Sequence, residues 1–301
     1  MNVIESCGLA KRYGRTWALR DCSLTIPAGH VVALVGPNGA GKTTLLNMAA
    51  GLLRPTAGQI RVLGGERPGS DAARPRIGFV AQDAPLYGHL PARDMLRLAA
   101  TLNLTWDNVR ALARLADLGI PLDRKVRQLS GGQRAQLALT IALAKRPEVL
   151  ILDEPLATLD PLARHDFMGS LMAAVAEDGL SVVFSSHVVS ELERIADYLV
   201  VLNSGRPKLV GEVDALLAVH RILTGPGDEM AVDPQRLVVV NARRAGTQTH
   251  LLVRTPAAGD PDPAGWLSAR AGLEDLVLAY LRDPGASVLP GPAMRTPVVQ
   301  A

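Results

Sequence analysis

Cysteine is nearly missing: Cys7 and Cys22 are the only two in 301 residues. Two thiols make neither a disulfide framework nor a four-ligand metal site. A charge of one sign is missing too, since Lys+Arg minus Asp+Glu is 32 − 29 = +3. That excess is too slight to point to nucleic acid. No apolar run nears the roughly 18 residues that a membrane-crossing helix needs. The longest candidate, residues 135–144, is broken by Gln136 and Thr140. Met1-Asn2-Val3-Ile4-Glu5 has no basic stretch ahead of an apolar one, so no secretory signal is expected. Apolar residues at 48% and charged residues at 20% exclude a disordered or fibrous chain. The expectation is a soluble, intracellular protein of about two domains.

Composition shifts near residue 220. Beyond it the chain has no lysine and about twice the proline density. Before it, strand-like and helix-like segments alternate, which predicts an α/β layer structure. Residues 31–35, 149–152 and 180–184 are short apolar runs that read as buried parallel strands. In residues 19–26, by contrast, Cys22, Leu24 and Ile26 alternate with Asp21, Ser23 and Thr25. That pattern predicts a strand with one wet face, in a small antiparallel sheet. Helical spacing over 92–118 predicts a helical insertion, with Met95, Leu98, Ala99 and Leu102, then Val109, Leu112, Leu115 and Ala116, on its inner face. In the tail, 237–240 and 249–254 read as two strands. Residues 265–282 read as one amphipathic helix with Leu273, Leu276, Val277 and Tyr280 on a face. Past Pro284 a loose, Pro/Gly-rich end is expected.

Gly36-Pro37-Asn38-Gly39-Ala40-Gly41-Lys42-Thr43 fits G-x-x-x-x-G-K-[ST]. It follows the strand at 31–35 and opens an apolar helix at Thr44, the setting a phosphate-binding loop requires. Its glycines let backbone N–H groups turn inward around phosphate oxygens, and the helix start adds partial positive charge. Lys42 is then expected on the β- and γ-phosphates and the Thr43 hydroxyl on Mg²⁺. At the end of the second apolar strand stand Asp153 and Glu154. Parallel strands deliver their C-terminal ends to the ligand crevice. Beside a phosphate loop, Asp153 suits Mg²⁺, and Glu154 suits orienting or deprotonating the attacking water.

Leu129-Ser130-Gly131-Gly132-Gln133 precedes a third helical run. Ser130 and Gln133 fit the capping box S-x-x-Q. Two glycines in a first helical turn each cost roughly 1 kcal/mol relative to alanine, which implies that another backbone or a phosphate comes close. Both readings can hold, because a capped, glycine-lined helix start is also an anion site.

These five residues resemble the signature sequence of ATP-binding cassette (ABC) ATPases. Other marks follow in the family's order. Gln82 resembles the Q-loop glutamine, residues 157–160, ending in Asp160, resemble the D-loop, and His187 resembles the switch histidine. Tyr13 stands where the family places a ring against adenine. The resemblance covers about residues 3–215. It implies a P-loop NTPase (RecA-like) core, an antiparallel β subdomain and a helical subdomain at about 83–145. It further implies ATP and Mg²⁺, with Gln82 near the metal, His187 sensing the γ-phosphate, and two domains sandwiching nucleotide head to tail. In that arrangement residues 130–133 meet the nucleotide of a second copy or of a related ATPase.

On this basis residues 1–220 form the ATP-binding domain and 221–301 a small α+β accessory region. The leading expectation is the ATPase of a membrane transporter, located in the cytoplasm on the inner face of the cell membrane. Its partner is then an integral membrane permease subunit encoded separately, with no nucleic acid expected. Gly272-Leu273-Glu274-Asp275-Leu276-Val277 resembles the C-terminal helix of ABC-2-type exporter ATPases, with Val277 replacing a phenylalanine. The alternative is a soluble ABC ATPase acting on nucleic acid or ribosomes. Paired cassettes, long coiled-coil insertions or zinc-binding cysteines would favour that, and none is present. His30, His89, His165, His220 and His250 show no ligand spacing.

Overall fold

The computed structural model describes residues 1–189, 192–226, 237–255, 265–283 and 286. β1 (Asn2–Tyr13), β2 (Thr16–Pro27) and β4 (Ala57–Val62) form an antiparallel sheet in the order β2-β1-β4. Leu19, Cys22, Leu24 and Ile26 of β2 are buried, so the expected one-sided strand is present. Burial pushes the Cys22 thiol up to about 12, which makes it a packing group rather than a reactive one.

The main sheet runs β5 (Ile77–Val80), β6 (Val149–Asp153), β7 (Ser181–Ser186), β3 (Val31–Val35), β8 (Tyr198–Asn203), β9 (Arg206–Glu212). The first five strands are parallel and β9 is antiparallel beside β8. Every residue of β3, β6 and β7 is buried, as expected of strands covered on both faces. On one face lie α1 (Lys42–Ala49) and the antiparallel sheet. The other face carries α4 (Gly131–Ala144) and α5 (Pro161–Asp178).

α2 (Ala92–Leu102), α3 (Asn108–Asp117) and α4 form the helical insertion, with a small core of their own. Its inner face differs from the expected one. Ala92, Met95, Leu96 and Ala99 bury α2, and Ala111 and Leu115 bury α3. Leu102 is 74% exposed, Val109 80% and Leu112 38%. The insertion core is built from Met95, Leu96, Ala111 and Leu115 with Leu137 of α4, and it leaves those three side chains outside it.

The tail also departs from expectation. α6 (Val213–Ala218) leads to β10 (His220–Gly225), a strand that composition did not reveal. It joins β11 (Val238–Ala245), β12 (Gln248–Arg254) and β13 (Leu267–Arg270) in an antiparallel sheet ordered β11-β12-β10-β13. The single helix expected over 265–282 is instead β13 followed by α7 (Leu273–Arg282). Pairing with β10 holds 267–270 extended, and Gly272 stays extended while its N–H donates to Asp275 Oδ2 at 3.1 Å. Leu273, Leu276, Val277 and Tyr280 do form the buried face. They enter the same apolar core as β8, β9 and α5. The Pro/Gly-rich end lies outside the described residues apart from Ala286. Among the described residues no helix is long and apolar enough to cross a membrane.

Candidate functional site

The site is assembled where β3, β6 and β7 end. The β3 strand leads into residues 36–41, and α1 begins at Lys42. Gly41 caps that helix at φ +103°, where an L side chain is strained, and a Cβ there would lie 2.6 Å from Ala18 O. Lys42 is 4% exposed and folds back, its Nζ donating to Gly36 O at 2.8 Å and standing 3.1 Å from Glu154 Oε1. The ammonium therefore sits inside the loop, bonded to the loop's own backbone carbonyl. Pro37, Asn38 and Gly39 form the exposed lip, Ala40 is buried, and Thr43 and Thr44 open the first turn.

Glu154 follows directly on β6 and takes φ +45°, a left-handed backbone uncommon outside glycine. Such outliers persist where surrounding contacts hold them, and functional sites collect them. Here Ser185, on the neighbouring strand β7, does the holding. Its Oγ accepts the Glu154 N–H at 2.9 Å and donates to Asp153 Oδ1 at 2.8 Å. One hydroxyl thereby holds the Asp153 carboxylate and the Glu154 backbone. Ser185 was not singled out from the sequence, because a serine in an apolar strand carries no spacing signal; only the β6–β7 register exposes it. His187, just past β7, places Nδ1 3.2 Å from Glu154 Oε2. Lys42, Glu154 and His187 thus form one chain of contacts, with Asp153 buried behind it.

Other expected residues lie apart from that chain. Gln82 is exposed at the entrance to the helical insertion. Tyr13, 52% exposed at the end of β1, carries the Lys11 ammonium 5.4 Å from its ring centroid. The capping box is formed: Ser130 Oγ accepts the Gln133 N–H at 3.1 Å, and Gln133 Oε1 accepts the Ser130 N–H at 3.2 Å. The second glycine answers to a neighbouring helix, since a Cβ at Gly132 would lie 2.8 Å from Ala163 Cβ in α5. Gly131 has room, with the nearest atom 3.8 Å from such a Cβ. Asp160 caps α5, its Oδ1 accepting the Ala163 N–H at 2.9 Å. Among the described residues, no hydrogen bond or ion pair joins 130–133 to 36–43.

The donor set fits a nucleotide with a hard cation. Phosphate oxygens have a positively charged loop, and a hydroxyl at Thr43 with a carboxylate at Asp153 is oxygen chemistry suited to Mg²⁺. The three-residue contact chain supplies a base, a cation and an imidazole at one edge of the cradle.

The chain is similar to known proteins in both sequence and fold. The family described as ABC transporter matches residues 19–157. The sulfate/thiosulfate import ATP-binding protein CysA of Synechococcus elongatus is 38% identical over 216 residues, covering 69% of this chain and 62% of that protein. Nod factor export ATP-binding protein I of Rhizobium johnstonii is 35% identical over 254 residues and 80% of each chain is covered. Among solved structures, a dimeric ATP-binding cassette in a post-hydrolysis state with ADP and Pi superposes with a TM-score of 0.63 at 27% identity, over 70% of this chain and 98% of that one.

Proposed function

The chain belongs to the ATP-binding proteins of the ABC transporter family, and from that membership we propose that it is the ATP-hydrolysing subunit of a membrane exporter, working as a head-to-tail dimer. The observation that carries the catalytic part is the contact chain Lys42–Glu154–His187 at the ends of β3, β6 and β7. Lys42 leaves Glu154 for the β- and γ-phosphates when ATP enters the loop. The freed Glu154 carboxylate orients the attacking water and takes its proton. His187 holds the other Glu154 oxygen and senses the γ-phosphate. Thr43 and Asp153 would hold Mg²⁺, which would supply charge neutralisation for the phosphate oxygens, and Gln82 is assigned to the same ion by the family resemblance.

Residues 130–133 are the reason for a dimer. Their helix start is open at Gly131 yet unconnected to the chain's own phosphate loop, so its anion-binding end serves a second copy. Export is favoured over import by how far the likenesses extend. The Nod factor export relative matches over 254 residues, whereas the sulfate import relative matches over 216. The permease partner finds apolar surface on the helical insertion, where Leu102 is 74% exposed and Leu104 91%.

Glu154→Gln tests the core of this reading. It keeps shape and nucleotide binding, and turnover should fall by about 10²–10⁴. An ATP-bound dimer should then accumulate in size-exclusion chromatography with Mg²⁺-ATP. A monomer that hydrolyses ATP at the unaltered rate rejects Glu154 as the base.

A further inference from the structure

The switch-histidine segment and the C-terminal helix meet at one polar contact. His187 opens the connection between β7 and β8, residues 187–197. At its far end Asp197 Oδ1 accepts the Val31 N–H at 2.9 Å. Within it, Val189 and Leu192 are buried in the apolar core that also takes Leu273, Leu276 and Val277 of α7. Glu193 comes next. Its Oε1 accepts the backbone N–H of Leu273, the first residue of α7, at 3.2 Å. That N–H is one of the donors a helix start leaves unpaired, and a carboxylate there also meets the positive end of the helix dipole.

α7 is anchored elsewhere as well. Asn203 Nδ2 donates to Leu281 O at 2.9 Å, tying its last turn to the end of β8. The Tyr280 hydroxyl donates to His220 Nε2 at 2.9 Å, and His220 Nδ1–H donates to Leu216 O at 2.6 Å. The helix is therefore a fixed post, and Glu193 is the point at which the histidine segment is fastened to it.

We propose that Glu193 is a positioning residue for His187: held on the N-terminus of α7, it fixes the stretch 192–197 behind the histidine so that the imidazole faces Glu154 and the γ-phosphate. The C-terminal lobe, α6 to α7, then sets turnover from outside the phosphate loop. This rests on the reading of His187 as the γ-phosphate sensor.

The experiment compares Glu193→Ala, Glu193→Gln, Glu193→Lys and His187→Ala in the full-length chain. It reads kcat, KM for ATP, binding of a fluorescent ADP analogue, and Tm. Glu193 is exposed, so these changes leave the core intact. With Glu193→Ala, kcat should fall about three- to fivefold, the scale of one partly screened charged contact, while KM and ADP binding stay within about twofold. Glu193→Gln retains an oxygen acceptor and should recover most of the rate. Glu193→Lys sets a cation against the positive helix end and should fall below alanine. If His187→Ala is inactive while Glu193→Ala turns over normally, this inference is wrong and the sensor reading stands. A lowered Tm with unchanged kcat makes Glu193 merely structural and also overturns it. Equal losses in the glutamine and alanine variants reject the hydrogen bond as the cause. Full turnover by His187→Ala overturns the sensor reading, and this inference falls with it.

Discussion

The phosphate loop with its strand ends and the C-terminal lobe use polar side chains in opposite ways. At the loop, Glu154 meets Lys42 at 3.1 Å and His187 at 3.2 Å, contacts that nucleotide and water take over in the function proposed above. In the lobe, His220 and Tyr280 satisfy each other inside the core, at 3% and 1% exposure, where no ligand reaches them. Similar donor and acceptor chemistry thus yields an ionic cluster at the strand ends and a structural clasp under a helix. What separates them is the outer partner: the His187 side chain is 47% exposed at the end of β7, whereas both members of the His220–Tyr280 pair are closed into the core and committed to a single arrangement.

The largest effect that would separate the two regions is expected from Lys42→Ala. It removes a fixed cation from the phosphates, and turnover should fall by about 10²–10³. ATP affinity, read by equilibrium binding, should fall with it. Hydrolysis near the normal rate would remove Lys42 from the site. Ser185→Ala comes next. It strips the buried Asp153 of a donor and the left-handed Glu154 of its restraint, at about 2–3 kcal/mol. Denaturant unfolding should show that loss together with slower turnover; an unchanged midpoint would mean that water replaces the hydroxyl. Tyr280→Phe should cost least, about 1–2 kcal/mol, because one donor to His220 is lost while the ring still fills its place. ATP affinity should be unaltered, and a change there would erase the distinction between the two regions.

The clasp also predicts a pH response. Burial lowers the His220 pKa from its usual 6.5, outweighing the hydrogen bond to Leu216. The folded state thus resists the proton that the unfolded state accepts. The stability from neutral His220 is complete above that usual value and drains away as pH falls through it toward the lowered folded one. Tm should drop between about pH 7 and pH 5, and His220→Gln should flatten that part of the profile. An identical slope in the variant would assign the response to other groups.

Legibility in the sequence divides along the same line. Residues 36–43, Asp153-Glu154 and Ser130–Gln133 were readable because phosphate and capping geometry accept few residue types at fixed spacing. Strands 31–35 and 149–152 were readable because burial on both faces leaves only apolar residues. Ser185 was silent, since its role comes from its register against β6 rather than from its neighbours in sequence. Leu102, Val109 and Leu112 misled because apolar spacing fits more than one helical face, and only the packing of α2, α3 and α4 decides which face is buried. Residues 265–282 misled for a different reason. Apolar spacing continues through the segment, while backbone pairing of 267–270 with β10, a long-range contact, decides the local conformation. Gly272 was the available sign of a break, and its extended backbone starts the helix there.

That α7 lies in the main core has a consequence for how the chain is made. A ribosome that has reached residue 220 has already supplied the phosphate loop, both carboxylates and the switch histidine. The apolar faces of β8 and β9 that receive Leu276, Val277 and Tyr280 nevertheless stay bare until residue 282 emerges. A growing chain therefore carries residues 36–43, Asp153, Glu154 and His187 on an unfinished core, exposed to aggregation or to chaperones. Synthesis order makes α7 the step that closes this core among the described residues.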